Sequence, residues 1–275
     1  MRRWFFSLIA LAAVSVAGQS SQSGTPAKLE VKGSGKSVNV FLQRVEGDNL
    51  IFQAVRSAQD RPAPADKIES LTFYPKHDAV ALEETFNDGD YSGVIALYGR
   101  ALAPYWEYML INNNVREELR MMVKSYFETG DLAKVGEAAA LLQKSPDAEL
   151  VMQGQAYAVY MALSTTNFAA AEAIQSQVES QAAGLYLQAV IERAKGNHRS
   201  AIKLLTEVIA SYGNDMNWMP ESELLSAKLY LDMACTNSAA TTARQVEKIY
   251  GGTSTANAAK IFAKSLPEVE QKTEK

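Results

Sequence analysis

Three short stretches recur along the chain: Gly89-Asp90-Tyr91, Gly130-Asp131-Leu132 and Gly196-Asn197-His198. Each lies between two amphipathic helical patterns. Each is followed, three residues after its last member, by a small or β-branched residue: Val94, Val135 or Ala201. Gly89, Gly130 and Gly196 can take the left-handed conformation that closes a preceding helix. Asp131 can cap a helix opening at Leu132, because its carboxylate can accept from free N–H groups of the first turn. This is the trace of stacked helical hairpins, in which each unit covers an apolar face of the next.

The helical period runs from beyond Pro75 to Leu266. Over 116–128, Val115, Leu119, Met122, Val123 and Tyr126 fall on one face. Over 199–212, Ala201, Leu204, Leu205, Val208 and Tyr212 do the same. The segments 151–163 and 184–194 are apolar on more than one side, as helices flanked on both sides must be. Pro104, Pro146, Gly213 and Pro220 stand where helices should stop. With one cysteine, Cys235, no intramolecular disulfide can form, and its place in an apolar helical pattern predicts burial.

The spacing of these residues resembles the tetratricopeptide repeat. One unit carries Gly89, Tyr91, Val94, Tyr98, Ala101 and Pro104. A second carries Tyr126, Gly130, Leu132, Val135, Ala139, Leu142 and Pro146. A third turns at Asn167-Phe168 and continues through Ala171 to Val178. A fourth carries Leu185, Ala189, Gly196, His198, Ala201, Leu205 and Val208, and a fifth spans 220–250 with Ala227 and Tyr230. The stretch from Tyr250 through Ala259 is similar to the connector of exported bacterial repeat proteins, with Gly251 in place of the usual Pro. The resemblance implies a mainly α fold: a helical-hairpin solenoid over 78–250 and a capping helix over 251–266. The charged stretch 267–275 reads as a disordered tail. It also implies that partners lie along the inner face made by the first helix of each unit. The matched positions there are Glu117, Arg120, Lys124 and Phe127, then Tyr160, then Tyr186 and Arg193. Arg120 and Lys124, one turn apart, could hold a carboxylate together; equally, Glu117, Arg120, Lys124 and Glu128 could form a solvated, ion-paired stripe. The Lys and Asn pattern of the chaperone-binding members is missing. Trp218, before Pro220, is either an exposed anchor or folded core.

The N-terminal quarter reads differently. Arg2 and Arg3 precede an apolar run from Trp4 to Val16, and small residues follow up to Gly18. This is the pattern of a cleaved secretory signal over 1–18, of the general export type rather than the twin-arginine type. The run is too short for a comfortable membrane span. Its loss would take the formal charge from −4 to about −6. Residues 19–27 read as a linker. Over 28–75 the period becomes two: Val38, Val40 and Leu42 alternate with Asn39, Phe41 and Gln43, Glu46-Gly47-Asp48-Asn49 turns, and Leu50 and Phe52 resume. Gly33-Ser34-Gly35 is an earlier turn, 61–64 a loop, and 68–74 a last strand. Four such strands resemble a small SH3-like or Sm-like antiparallel barrel, closed to hide its edges.

Chemistry is sparse. The two histidines, His77 and His198, sit in structural contexts, and no metal-ligand spacing or nucleophile motif occurs. Gly33-Ser34-Gly35-Lys36-Ser37 has Glu30 where a phosphate loop needs its first glycine, so it reads as a hairpin turn. No basic cluster suited to nucleic acid is present. The expectation is a non-catalytic exported scaffold without cofactor or metal, in a bacterial periplasm or envelope, holding protein or peptide partners. A second expectation is a wall- or glycan-binding module, with Phe41 and Phe52 of the β domain as candidate contacts and the helices as spacer.

Overall fold

A computed structural model describes residues 24–145 and 147–267. The stretch 1–18 expected to be an export signal, most of the expected linker, Pro146 and residues 268–275 lie outside the described residues. The chain divides into two compact units, one up to residue 72 and one from residue 73 onward.

The first unit is a five-stranded sheet: β1 (Thr25–Val31), β2 (Ser37–Glu46), β3 (Asn49–Ala54), β4 (Asp60–Pro64) and β5 (Ile68–Phe73), in the order β4-β3-β2-β1-β5. The pairs β1/β2, β2/β3 and β3/β4 are antiparallel. Register sets Ala27 opposite Val40 and Leu42 opposite Phe52; Ala27, Val40 and Leu42 are buried. Turns fall where glycine permits a positive φ, at Gly33 and Gly35 before β2 and at Gly47 before β3. Ser34 Oγ donates to the Val31 carbonyl at 2.8 Å and strand β2 follows, so Gly33-Ser34-Gly35 is a hairpin turn.

Three expectations fail here. The sheet does not close into a barrel: β4 and β5 are its two edges. Residues 61–64, expected as a loop, belong to edge strand β4. Its Pro62 and Pro64 have no N–H to donate, so the edge is blunted by its own composition and needs no closure. The first strand also opens at Thr25, inside the stretch expected to be linker.

The second unit holds eleven α-helices among the described residues. They are α1 (Ala79–Asn87), α2 (Tyr91–Leu102), α3 (Arg116–Glu128), α4 (Leu132–Leu142), α5 (Ala148–Ser164) and α6 (Phe168–Gln175). α7 (Gln181–Ala194), α8 (His198–Ser211), α9 (Met219–Asp232), α10 (Thr236–Ile249) and α11 (Ser254–Ser265) follow. Pro104 ends α2 and enters a short 3-10 segment, Ala103–Tyr108, while Pro220 opens α9 rather than ending a helix, since its missing N–H costs nothing in a first turn.

One turn recurs five times, each joining two helices through three residues. Its middle residue has positive φ: Gly89, Gly130 and Gly196 as expected, and also Thr166 (55°) and Ala234 (61°). At each, the residue's N–H bonds to the carbonyl three positions back, and the next N–H bonds five positions back. Gly89 thus bonds to Phe86 and Asp90 to Thr85; Ala234 bonds to Leu231 and Cys235 to Tyr230. These bonds satisfy carbonyls that the helix end would leave free. The following residue then starts the next helix: Asp90, Asp131 and Asn167 accept from the first-turn N–H of Gly93, Lys134 and Ala170. Five positions after each left-handed residue stands a fully buried small side chain: Val94, Val135, Ala171, Ala201 and Ala239. Cys235, expected to be buried, is exposed, because it occupies one of these turns instead of a helix face.

Each helix packs on the next along the chain, from α1 through to α11. Alternate helices also touch, as in α1 with α3, α5 with α7, α7 with α9 and α9 with α11. The last helix, expected only to cap an open end, also touches the first. Gly89, just after α1, lies so close to Ile261 of α11 that a Cβ there would sit 2.9 Å from the Ile261 δ-methyl. The circuit of helix contacts therefore returns to its start. One core cluster lies between α5 and α9, with Val159, Leu187, Ala189, Leu205 and Leu229 fully buried.

Candidate functional site

The odd-numbered helices α3, α5, α7 and α9 line a cleft of about 700 Å³. Lys124, Phe127 and Glu128 come from α3, Tyr160 and Leu163 from α5, Tyr186, Val190 and Arg193 from α7. The stripe Glu221, Leu225, Lys228 and Asp232 comes from α9, and His198 enters from the start of α8. The spacing explains the convergence: steps of three and four residues keep side chains on one helical face.

Aromatic side chains on and behind the wall form a chain of ring contacts bridged by one hydrogen bond. Phe127 lies 5.7 Å from Tyr157 and 5.0 Å from Tyr160, centroid to centroid. The Tyr160 and Tyr186 hydroxyls share a hydrogen bond of 3.0 Å, joining α5 to α7. Tyr186 then packs on Trp218 at 5.2 Å. Trp218 thus belongs to the core margin, not to a free anchor. Burial pushes the Tyr160 hydroxyl up to about 12, against the opposing pull of its bond to Tyr186. Burial also raises Tyr186 well above the ordinary tyrosine value, with Tyr160 and the Glu221 charge adding to it. Both phenols stay neutral in any physiological medium and serve as hydrogen-bonding groups.

Charges are arranged on this aromatic wall. Lys124 Nζ binds Glu128 at 2.8 Å and lies 5.6 Å from the centre of the Phe127 ring. Burial opposes its charge, but Glu221 and Glu128 outweigh burial and raise its pKa above the ordinary lysine value. Arg193 holds Asp232 through two hydrogen bonds, 2.6 and 3.3 Å, tying α7 to α9. His198 Nδ1 lies 3.9 Å from the same carboxylate. Glu221 accepts from the Thr255 hydroxyl at 2.8 Å. Burial lowers the pKa of Lys228, and the Glu221 charge offsets only part of this.

Of the seven inner-face residues expected from sequence, Lys124, Phe127, Tyr160, Tyr186 and Arg193 come together in the cleft. Glu117 and Arg120 do not line it. Arg120 is engaged by Glu117 at 3.0 Å and by Glu149 of α5 at 2.8 Å, while the Glu117 side chain is exposed. The ion-paired stripe is therefore what α3 presents: Arg120 and Lys124 are each held by their own carboxylates and do not act jointly. Glu221, Lys228, Asp232 and His198 were missed. The 4-3-4 spacing of Glu221, Leu225, Lys228 and Asp232 carries the signal: one polar stripe on a helix whose other positions are largely apolar.

The other histidine is elsewhere. His77 is buried, with Nε2 4.0 Å from Glu118 and its ring edge-on to Tyr98. In the sheet, Phe41 pairs with Gln53 and Phe52 with Leu42, so adjacent register positions turn the two phenylalanines to opposite faces. Both are half-buried, and they form no shared aromatic platform.

Among the described residues no helix is long and apolar enough to cross a membrane. Comparison with protein-family models, with curated proteins and with solved structures yields no match.

Proposed function

We propose that this chain is a non-catalytic, exported binding protein whose helical unit holds a peptide or protein partner in the α3–α5–α7–α9 cleft. One observation carries the reading: successive hairpins contribute their first helices to one wall that is aromatic in its middle and charged along its edges. Such a surface suits a partner with both apolar and polar groups, because rigid aromatic side chains lose little conformational freedom on binding. The tetratricopeptide-like spacing of the turns supports a solenoid-type use of that inner wall. The sequence pattern over 1–18 supports export to a bacterial periplasm or envelope.

The test is site-specific photo-crosslinking in the native envelope, with a benzophenone amino acid at Leu163 inside the cleft and at Leu97 outside it. Leu97 is two-thirds exposed and lines no part of the cleft. The expected result is discrete adducts from the Leu163 position and none from Leu97. Equal labelling from both positions, or none from Leu163, overturns the proposal.

A further inference from the structure

The cleft contains three side-chain cations besides its histidine, and two of them are committed. Lys124 is held by Glu128 and Arg193 by Asp232. Lys228 projects into the same space and, among the described residues, makes no hydrogen bond or ion pair. Glu221 is the remaining acid of the cleft. It stands seven residues earlier on α9, about 10 Å along the helix axis, and its carboxylate accepts from the Thr255 hydroxyl rather than from Lys228. Lys228 is half-buried, between Leu225 and the Arg193–Asp232 pair. A partly desolvated ammonium with no carboxylate in contact, its burial offset only in part by the Glu221 charge, is unfavourable until an anion reaches it.

Resting on the reading that this cleft is the binding site, we infer that Lys228 receives a singly charged carboxylate carried on an apolar stem. The charge meets the free ammonium, and the stem lies against Phe127, Leu163, Val190 and Leu225. One charge matches one free cation. A dianion would bring a second negative charge toward Glu128, Glu221 and Asp232 with no cation left to meet it. The carboxylate can come from an acidic peptide or from a small free acid, and the two sources are separable by experiment.

Amine footprinting of the full chain tests this. Lys228 is acetylated with a limiting reagent and quantified by mass spectrometry, with Lys203 of α8 as internal reference. The probes are Ac-Leu-Phe-Glu-NH2, its Gln counterpart, 4-phenylbutyrate and 4-phenylbutanamide. The expected result is protection of Lys228, and not of Lys203, by a carboxylate probe, about fivefold at four times its Kd, with no protection by the paired amide. Protection by the Glu peptide alone identifies a peptide source; protection by 4-phenylbutyrate as well identifies the free acid as sufficient. Equal protection by acid and amide overturns the inference and leaves cleft binding standing. No protection by any probe overturns the inference, while the photo-crosslinking result decides the broader reading independently.

Discussion

Replacing Gly89 by Ala separates two effects that coincide at that position. Gly89, Gly130 and Gly196 share nearly the same positive φ, 76°, 79° and 81°. An Ala at any of them must adopt the left-handed conformation, at about 1–2 kcal/mol. The stiffer unfolded chain returns part of this, about 0.4–1 kcal/mol. At Gly130 and Gly196 an added Cβ meets nothing within 4 Å, so a net cost of about 1 kcal/mol is expected there. At Gly89 the same Cβ lies 2.9 Å from the Ile261 δ-methyl and 3.3 Å from Asn257 Nδ2. Ile261 is half-exposed and can rotate, but leaving its rotamer costs about 0.5–1.5 kcal/mol. The expected total for Gly89→Ala is about 2 kcal/mol. For a unit of this size that lowers Tm by about 4–8 °C, against about 2–4 °C at the other two turns. Urea unfolding followed by far-UV circular dichroism gives the three values directly. Adding Ile261→Ala to each variant isolates the extra cost, which should vanish only in the Gly89 background. Equal destabilisation at all three glycines, or a coupling to Ile261 indistinguishable from zero, refutes the packing of α11 against the first turn.

Two further outcomes follow from the cleft. Tyr160 has a folded-state pKa of about 12, above its unfolded value near 10, so the native state holds the phenolic proton longer. Its contribution is complete below about pH 10 and is lost as pH rises toward 12; denaturation midpoints across that range should fall less steeply in Tyr160→Phe than in the parent. Lys228 has the opposite sign, because its lowered pKa means the unfolded chain binds its proton more readily and stability grows as pH rises toward the ordinary lysine value. Lys228→Met should raise the ligand-free Tm at neutral pH, by about 1 kcal/mol of added stability, and a loss of stability instead would show that the ammonium has a partner in solution.

The helical architecture was legible because glycine is conspicuous. Gly89, Gly130 and Gly196 mark left-handed positions that few other residues favour. Thr166 and Ala234 hold the same backbone geometry without that mark, so the third turn shows in the sequence only through Asn167, and the fifth unit shows only as a span, with no turn located in it. The sheet was legible in its alternation but not in its edges, because Pro62 and Pro64 read as loop residues when nothing reveals that β3 lies beside them. Inner-face positions on α3, α5 and α7 could be found from their distance to a recognisable turn. Those on α9 could not, since the turn after α9 has neither a glycine nor a capping Asp or Asn, and the helix carries apolar residues on several sides. Arg120 shows the limit of counting along one helix: its partner Glu149 lies on α5, twenty-nine residues away.

The five hairpin turns differ in kind from the links between hairpins. Every turn has three residues, whereas α2 and α3 are separated by residues 103–115, α4 and α5 by 143–147, and α8 and α9 by 212–218. Adding one residue to a turn would rotate the following helix by about 100° and carry its buried small side chain away from the neighbour it fits. Adding residues to a link displaces nothing inside a hairpin. Length change, by natural insertion or by grafting a tag or a foreign loop, is thus confined to the links. A reporter inserted between Gly213 and Asn217 leaves both flanking hairpins whole, and the same insertion at Thr129–Asp131 dismantles one.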